Sequence, residues 1–308
     1  MRVVAADAHE MRYQAAQWAI PGRRTRAQQK TNPVELLLHP TRCGSAALTE
    51  RMTEWSGEDY ANISALQRAM AEDAVASVQF AGNEQVLDVG CGDGHVTRMI
   101  AGMVPDGYVV GIDPSWGMLG EAVRGDRPGP SGPSFARADV RDLPFAQNFD
   151  VAVSFNALHW VPQQQRALKQ IASVVRPGAR VLIQVVCAGE RPSVEAVAMT
   201  LCDRPHWAPR FAGFSAPFIH VDPEYFGELA TRAGLAVADL TVTDRQWDFG
   251  TRERFSRWCA VGSAAWTDRL TVDDRTRFVG ELVSAYEAVS GRPGLFRFTQ
   301  MRAGLIRQ

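Results

Sequence analysis

The sequence predicts an α/β protein built on a mostly parallel sheet with helices on both faces. Three observations carry that expectation. Short apolar strand candidates alternate with helical stretches between Gln85 and Val186, a glycine-rich turn joins the first of these strands to the helix after it, and acidic residues stand at the ends of the second and third strands.

Each element has its own signal. From Tyr60 to Val78 the residues Ile63, Leu66, Met70, Val75 and Val78 recur at helical spacing, which predicts an amphipathic helix. Gly82 and Asn83 break it, and Gln85–Val89 reads as a strand. A helix over Val96–Met103, a strand over Tyr108–Ile112 and a helix over Trp116–Val123 follow, the last closed by a loop with Pro128, Pro130 and Pro133. Phe135–Ala138 and Phe149–Phe155 are the third and fourth strands. Gln163–Val175 is a helix stopped by Pro177-Gly178, and Arg180–Val186 is the fifth strand. Such alternation implies βαβ units, whose sheet is covered on both faces.

After Cys187 the alternation lapses. Residues 188–222 are rich in Pro, Trp and Phe without a clear period. Glu224–Ala233 reads as a helix with Gly234 at its C-terminal end, Leu235–Thr243 as a strand, Arg252–Ser290 as mostly helical and Leu295–Ile306 as a last strand. The expected organisation is a single unit over residues 52–308, with a ligand-binding core over 80–187 and a helical cap drawn from 55–79, 188–222 and 251–290. Residues 1–51, with Arg23, Arg24 and Arg26 beside Pro21 and Gly22, read as a poorly packed extension. Organisation becomes recognisable just after Met52, which makes that residue a candidate natural start.

Composition bounds the function. The chain has 308 residues and a net charge of -1, which argues against a dedicated nucleic-acid binder. No apolar run reaches the roughly 20 residues of a membrane span. The five cysteines are scattered, odd in number and without CxxC spacing, so neither a zinc site nor a disulfide framework is expected. A reduced, cytoplasmic setting fits that usage.

The chemistry concentrates in Val86-Leu87-Asp88-Val89-Gly90-Cys91-Gly92-Asp93-Gly94. Glycines at alternate positions let the backbone turn sharply and approach a ligand closely, and the helix behind them offers free N–H groups. A dinucleotide site uses GxGxxG. Here the spacing is GxGxG, with Asp88 two residues before the first glycine. An acid there repels a pyrophosphate and attracts an ammonium, so the expected ligand carries an ammonium and an adenosine. Asp113, at the end of the second strand, lies about 20 residues beyond the turn, where an acid accepts hydrogen bonds from a ribose. Asp139, after the third strand, is placed to accept from an adenine amino group.

Taken together, these stretches resemble the class I S-adenosylmethionine-dependent methyltransferases over Val86–Val186. The resemblance implies a Rossmann-like sheet of seven strands, five followed by an antiparallel hairpin, and S-adenosyl-L-methionine as cofactor. It implies that Gly90, Cys91, Gly92 and Gly94 line the methionine part. It implies Asp113, with Pro114 beside it, at the ribose, and Asp139 with Val140 and Met118 at the adenine. Ser154 and Phe155 match positions near the sulfonium.

Two further stretches, Tyr60-Ala61-Asn62-Ile63-Ser64-Ala65-Leu66-Gln67 and Asn156-Ala157-Leu158-His159-Trp160-Val161, resemble the branch holding trans-aconitate and juvenile hormone acid methyltransferases. That branch implies Gln67 and Trp160 as holders of a substrate carboxylate. An acid with a pKa of about 4 is ionised at neutral pH and needs no general base. The enzyme then has chiefly to hold it about 3 to 3.5 Å from the methyl group. Other readings stay open: methylation of a hydroxyl or carbon on a lipid, quinone or polyketide with His159 as base, a non-catalytic cofactor-binding regulator, and an NAD dehydrogenase. Trp207, Phe211, Phe214 and Phe218 fit either an apolar acceptor pocket or the core of the cap. The expected partner is a small-molecule acceptor with a carboxylate and an apolar part, and the chain is expected to be a monomer or homodimer.

Overall fold

The computed structural model describes residues 65–125, 132–146 and 148–308. The expected extension over 1–51, the start of the cap before Ala65 and most of the proline loop lie outside these residues.

In chain order the described elements are α1 (Ala65–Ala76), β1 (Gln85–Val89), α2 (His95–Met103), β2 (Tyr108–Asp113), α3 (Trp116–Arg124), β3 (Ser134–Arg137) and β4 (Phe149–Phe155). Then come α4 (Gln164–Val174), β5 (Val175–Val186), α5 (Val194–Cys202), α6 (Pro223–Arg232) and β6 (Leu235–Asp248). The chain ends with α7 (Arg252–Gly262), α8 (Ala264–Thr267), α9 (Val272–Ser290) and β7 (Leu295–Arg307). The strands form one seven-stranded sheet in the order β3-β2-β1-β4-β5-β7-β6. β1 to β5 pair in parallel, and β7 runs antiparallel to both β5 and β6. The expected five strands and closing hairpin are therefore present. The strand order reverses between β1 and β4, and a crevice opens there at the carboxyl ends of the strands.

Strand periodicity assigns the sheet's two faces. Leu87 and Val89 join a core with Leu168 and Ile171 of α4 and Phe226 and Leu229 of α6. Val86, one residue out of step, packs on the opposite face with Ala74 and Val75 of α1 and Ile100 of α2. A third apolar cluster builds the cap, around Trp207, Phe255, Trp266, Phe278 and Tyr286, all at most 1 % exposed. Burying each such ring contributes on the order of 1.5–3 kcal/mol.

The structure departs from sequence expectation in three places. β5 begins at Val175 and runs through Pro177-Gly178, because that dipeptide ends α4 without blocking the extended chain that follows. β6 continues to Asp248, paired with β7 along its length, and has a register shift between Val237 and Asp239. α5 was not expected: Ser193 caps it by accepting from the Ala196 N–H at 3.0 Å, and apolar residues surround it because it is buried between layers. Such a helix shows no 3.6-residue polar stripe for periodicity to detect.

Candidate active site

A cavity of about 690 Å³ opens over the crevice between β1 and β4. One half is lined by the strand ends, the other by α1, the turn after β4 and the cap. Its size is that of a site for a drug-sized ligand.

The turn after β1 is shaped for close approach. Gly90, Gly92 and Gly94 all have positive φ (75°, 55° and 76°), a region that disfavours any side chain. A Cβ on Gly90 would lie 2.2 Å from the Cβ of Ala157, so the turn is pressed against the chain leaving β4. Gly90 and Gly92 line the cavity. The carboxylate of Asp113 braces the turn, with Oδ2 accepting from the Gly92 N–H at 3.1 Å and Oδ1 from the Ser115 N–H at 2.9 Å. Asp113, Pro114, Met118 and Val140 form one wall. Such a wall fits a nucleoside, with a charged acceptor for ribose hydroxyls beside an apolar slot for a flat base.

Other expected cofactor contacts are not where the sequence put them. Asp88 faces away from the cavity. Strand alternation sends its side chain to the same face as Val86, beneath α2, where it accepts from the Thr97 hydroxyl at 2.7 Å. Burial, with the charge of Asp113 adding to it, pushes its carboxyl up to about 7. Asp88 thus ties β1 to α2, and its side chain is not part of the cavity wall. Cys91 and Gly94 also lie off the cavity wall, and the Cys91 thiol is raised by burial and by nearby carboxylates. The Ser154 hydroxyl is spent on the Val89 carbonyl at 2.9 Å, whereas Phe155 does line the cavity. Asp139 reaches the wall, but both its oxygens already accept from the Arg141 guanidinium, at 2.7 to 3.0 Å. An adenine amino group there would have to share an acceptor with Arg141.

On the opposite side, Gln67, His159 and Trp160 line the cavity together. α1 is fixed at both of its flanks. Arg68 pairs with Asp93 of the glycine turn at 2.7 Å, and Asp73 binds Arg245 and Arg302 of the hairpin at 3.0 and 2.9 Å. Gln184 adds a hydrogen bond to the Met70 carbonyl at 3.2 Å. Gln67 is thereby carried to the cavity, where its Oε1 is buried without a partner among the described residues. His159 and Trp160 stand in a turn of 3-10 helix, and Trp160 meets Trp266 edge-on with centroids 6.3 Å apart. Burial, and then the neighbouring His220, pull the His159 imidazole down to about 3. It is neutral at physiological pH, with a buried Nδ1 that has no partner among the described residues.

Several cavity residues escaped the sequence reading. Asn156 takes a left-handed backbone (φ 55°), and its Oδ1 is buried without a partner. Its place directly after β4 was the available signal, since asparagine tolerates that conformation better than other side chains. Trp258 and Trp266 each line the cavity and bury an indole N–H that meets no acceptor among the described residues. Glu195 and Arg269 also line it. Of the four aromatic residues left between pocket and core, Phe214 lines the cavity, whereas Trp207 is cap core, its indole N–H donating to Glu281 at 3.0 Å. Phe211 and Phe218 pack within the cap cluster.

Comparison with known proteins agrees with this geometry. A family model described as a methyltransferase domain matches residues 86–178. The chain is 24 % identical over 241 residues to 235L, a provisional methyltransferase of Invertebrate iridescent virus 6, covering 78 % of this chain and 88 % of that one. It is 29 % identical over 185 residues to trans-aconitate 2-methyltransferase of Mycobacterium tuberculosis (strain H37Ra), covering 59 % of this chain and 68 % of that one. In fold it is similar to phosphoethanolamine N-methyltransferase 2 of Haemonchus contortus, solved with S-adenosyl-L-methionine. The TM-score is 0.54 at 15 % identity, covering 82 % of this chain and 56 % of that one.

Proposed function

We propose that this chain, whose residues 86–178 match a methyltransferase domain and which has a class I fold, is an S-adenosylmethionine-dependent enzyme that O-methylates the carboxylate of a small molecule. The observation that carries the reading is the character of the acceptor side. It brings Gln67 and Trp160, two side chains able to donate a hydrogen bond, together with a histidine held uncharged, on a lining that also carries Glu195 and Arg269. Bound S-adenosylmethionine supplies an already activated methyl group. The protein's own work is then to hold, orient and dry the acceptor.

The amide N–H of Gln67 and the indole of Trp160 are donors suited to a carboxylate. Held by two such donors, an acid loses rotational freedom and keeps one oxygen free to attack. Aromatic walls from Trp160, Phe214 and Trp266 exclude water, which strengthens those contacts. The relatives named for trans-aconitate support a carboxylate acceptor. The alternative, with His159 as base for a hydroxyl, draws little support from its environment. An imidazole at about 3 is a weak acceptor for a hydroxyl proton.

A panel of small acids incubated with enzyme and S-adenosylmethionine tests the reading, with alkali-labile methyl esters as the readout. Gln67→Ala and Trp160→Phe should lower turnover at least about tenfold while cofactor affinity stays within a factor of about two. Equal loss of turnover and cofactor affinity would assign these side chains to the cofactor or the fold. Methylation of hydroxyl compounds with no ester from any acid would overturn the reading.

A further inference from the structure

The cap presents a carboxyl group to the acceptor cavity. Glu195 sits in the first turn of α5, is 9 % exposed and lines the cavity. Among the described residues it makes no hydrogen bond. The nearest cation candidate, His220 Nε2, is 3.7 Å away, and burial pulls that imidazole toward its neutral form even against the pull of Glu195. Its position follows from ring contacts: Trp160 meets His159 at 5.3 Å, and His159 meets His220 at 6.2 Å between centroids. Glu195, on α5 of the cap, thus adjoins His220 at the end of the row that starts at Trp160.

The carboxyl's one close contact is His220 at 3.7 Å, beyond hydrogen-bond reach, so a ligand hydroxyl can supply the donor that the described residues do not. We propose that Glu195 determines specificity by taking a hydroxyl donated from the distal part of the acceptor, so that the acceptor is a hydroxylated acid. The nearby indoles fit the same group, since a hydroxyl donates once and still accepts. Trp258, next to Cys259 on α7, and Trp266 on α8 line the same cavity with unpartnered N–H groups. A second carboxylate at that place would meet Glu195 as a like charge. Arg269, the cation at this end of the cavity, stands on the exposed rim over the Phe214 ring at 4.3 Å, where solvent screens it. On this inference a polyanion such as trans-aconitate, named for the relatives, is a poor acceptor here.

The inference rests on the carboxylate reading, and the test separates the two. Calorimetry on protein loaded with S-adenosylhomocysteine compares alkanoic, hydroxyalkanoic and dicarboxylic acids of one chain length, together with the methyl ester of the hydroxy acid. The wild-type protein should bind the hydroxy acid at least about tenfold more tightly than the diacid. Glu195→Gln, which keeps the size and an acceptor oxygen, should shrink that ratio at least about fivefold, chiefly by improving the diacid, with S-adenosylhomocysteine affinity unchanged. Glu195→Ala should remove the preference for hydroxy acid over alkanoic acid. Equal binding of hydroxy acid and diacid by the wild type, or a ratio untouched in Glu195→Gln, overturns the inference. Should acids bind and yet yield no ester, the carboxylate reading fails alone, because the binding ratios still report on Glu195. If the hydroxy ester binds as well as the hydroxy acid, the donor pair is displaced from the carboxylate while the role of Glu195 stands.

Discussion

Asp113→Asn separates bracing of the glycine turn from recognition of the cofactor. The two carboxylate oxygens serve two backbone donors, Gly92 at 3.1 Å and Ser115 at 2.9 Å. Asparagine keeps the shape but has one accepting atom, so whichever way the amide turns, its NH2 faces one of those N–H groups. At 8 % exposure little water reaches the site to relieve the mismatch. Losing one hydrogen bond to a charged group costs about 1.5–3 kcal/mol, and the cofactor-free variant should lose that much in urea unfolding. The ribose hydroxyls proposed to meet this carboxylate lose a charged acceptor as well. A further loss of about 1.5–3 kcal/mol in binding corresponds to a roughly 10- to 150-fold weaker Kd. Urea titration and calorimetry with S-adenosylmethionine measure the two effects independently. An unchanged unfolding midpoint would refute the bracing argument, and an unchanged affinity would remove Asp113 from the ribose.

Three further perturbations follow from the same geometry. Gly90→Ala must hold a side chain at φ 75° with its Cβ 2.2 Å from Ala157, so it should destabilise by at least about 2 kcal/mol and abolish detectable cofactor binding; wild-type behaviour in both would mean the turn is slack. For Asp88 the folded carboxyl is raised to about 7 from 3.8, so the folded protein binds the extra proton between those values. Stability from this group is full below about 4 and is lost as pH rises through about 7. Asp88→Asn should therefore gain on the wild type progressively from pH 4 to pH 7, by roughly a few kcal/mol in all, and a pH-independent difference in denaturation curves would contradict this. His159→Gln should keep kcat within about tenfold, and the kcat profile of the wild type should show no limb from His159 above about pH 4; an inflection near pH 6 to 7 that vanishes in the variant would restore the histidine as base.

The cofactor half was legible because its signals are local. Gly90, Gly92 and Gly94 declare positive φ at alternate residues, and Asp113 declares a strand end; both depend on the chain within a few residues. The cap was less legible. α5 buries most of its residues, Glu195 included, and exposes Thr200, so its clearest outward mark was the Ser193 cap. Glu195, a charge in a helix's first turn, reads as a solvated residue until the fold closes over it. Trp258 and Trp266 carried no signal in the sequence, and their indole N–H groups without an acceptor among the described residues emerge only in the folded structure.

Asp88 marks the boundary between the two levels. Sequence alone determined the α/β class, the sheet's parallel core, the glycine turn and the acid that ends β2, because backbone sterics and period-two burial are written residue by residue. What covers Asp88, and the carboxyl group facing the acceptor cavity, were decided only by tertiary structure, whereas Arg141, two residues along the chain, captures Asp139 locally. Both depend on which groups arrive from elsewhere in the fold, Thr97 from α2 or the cap, and on how little water remains once they do.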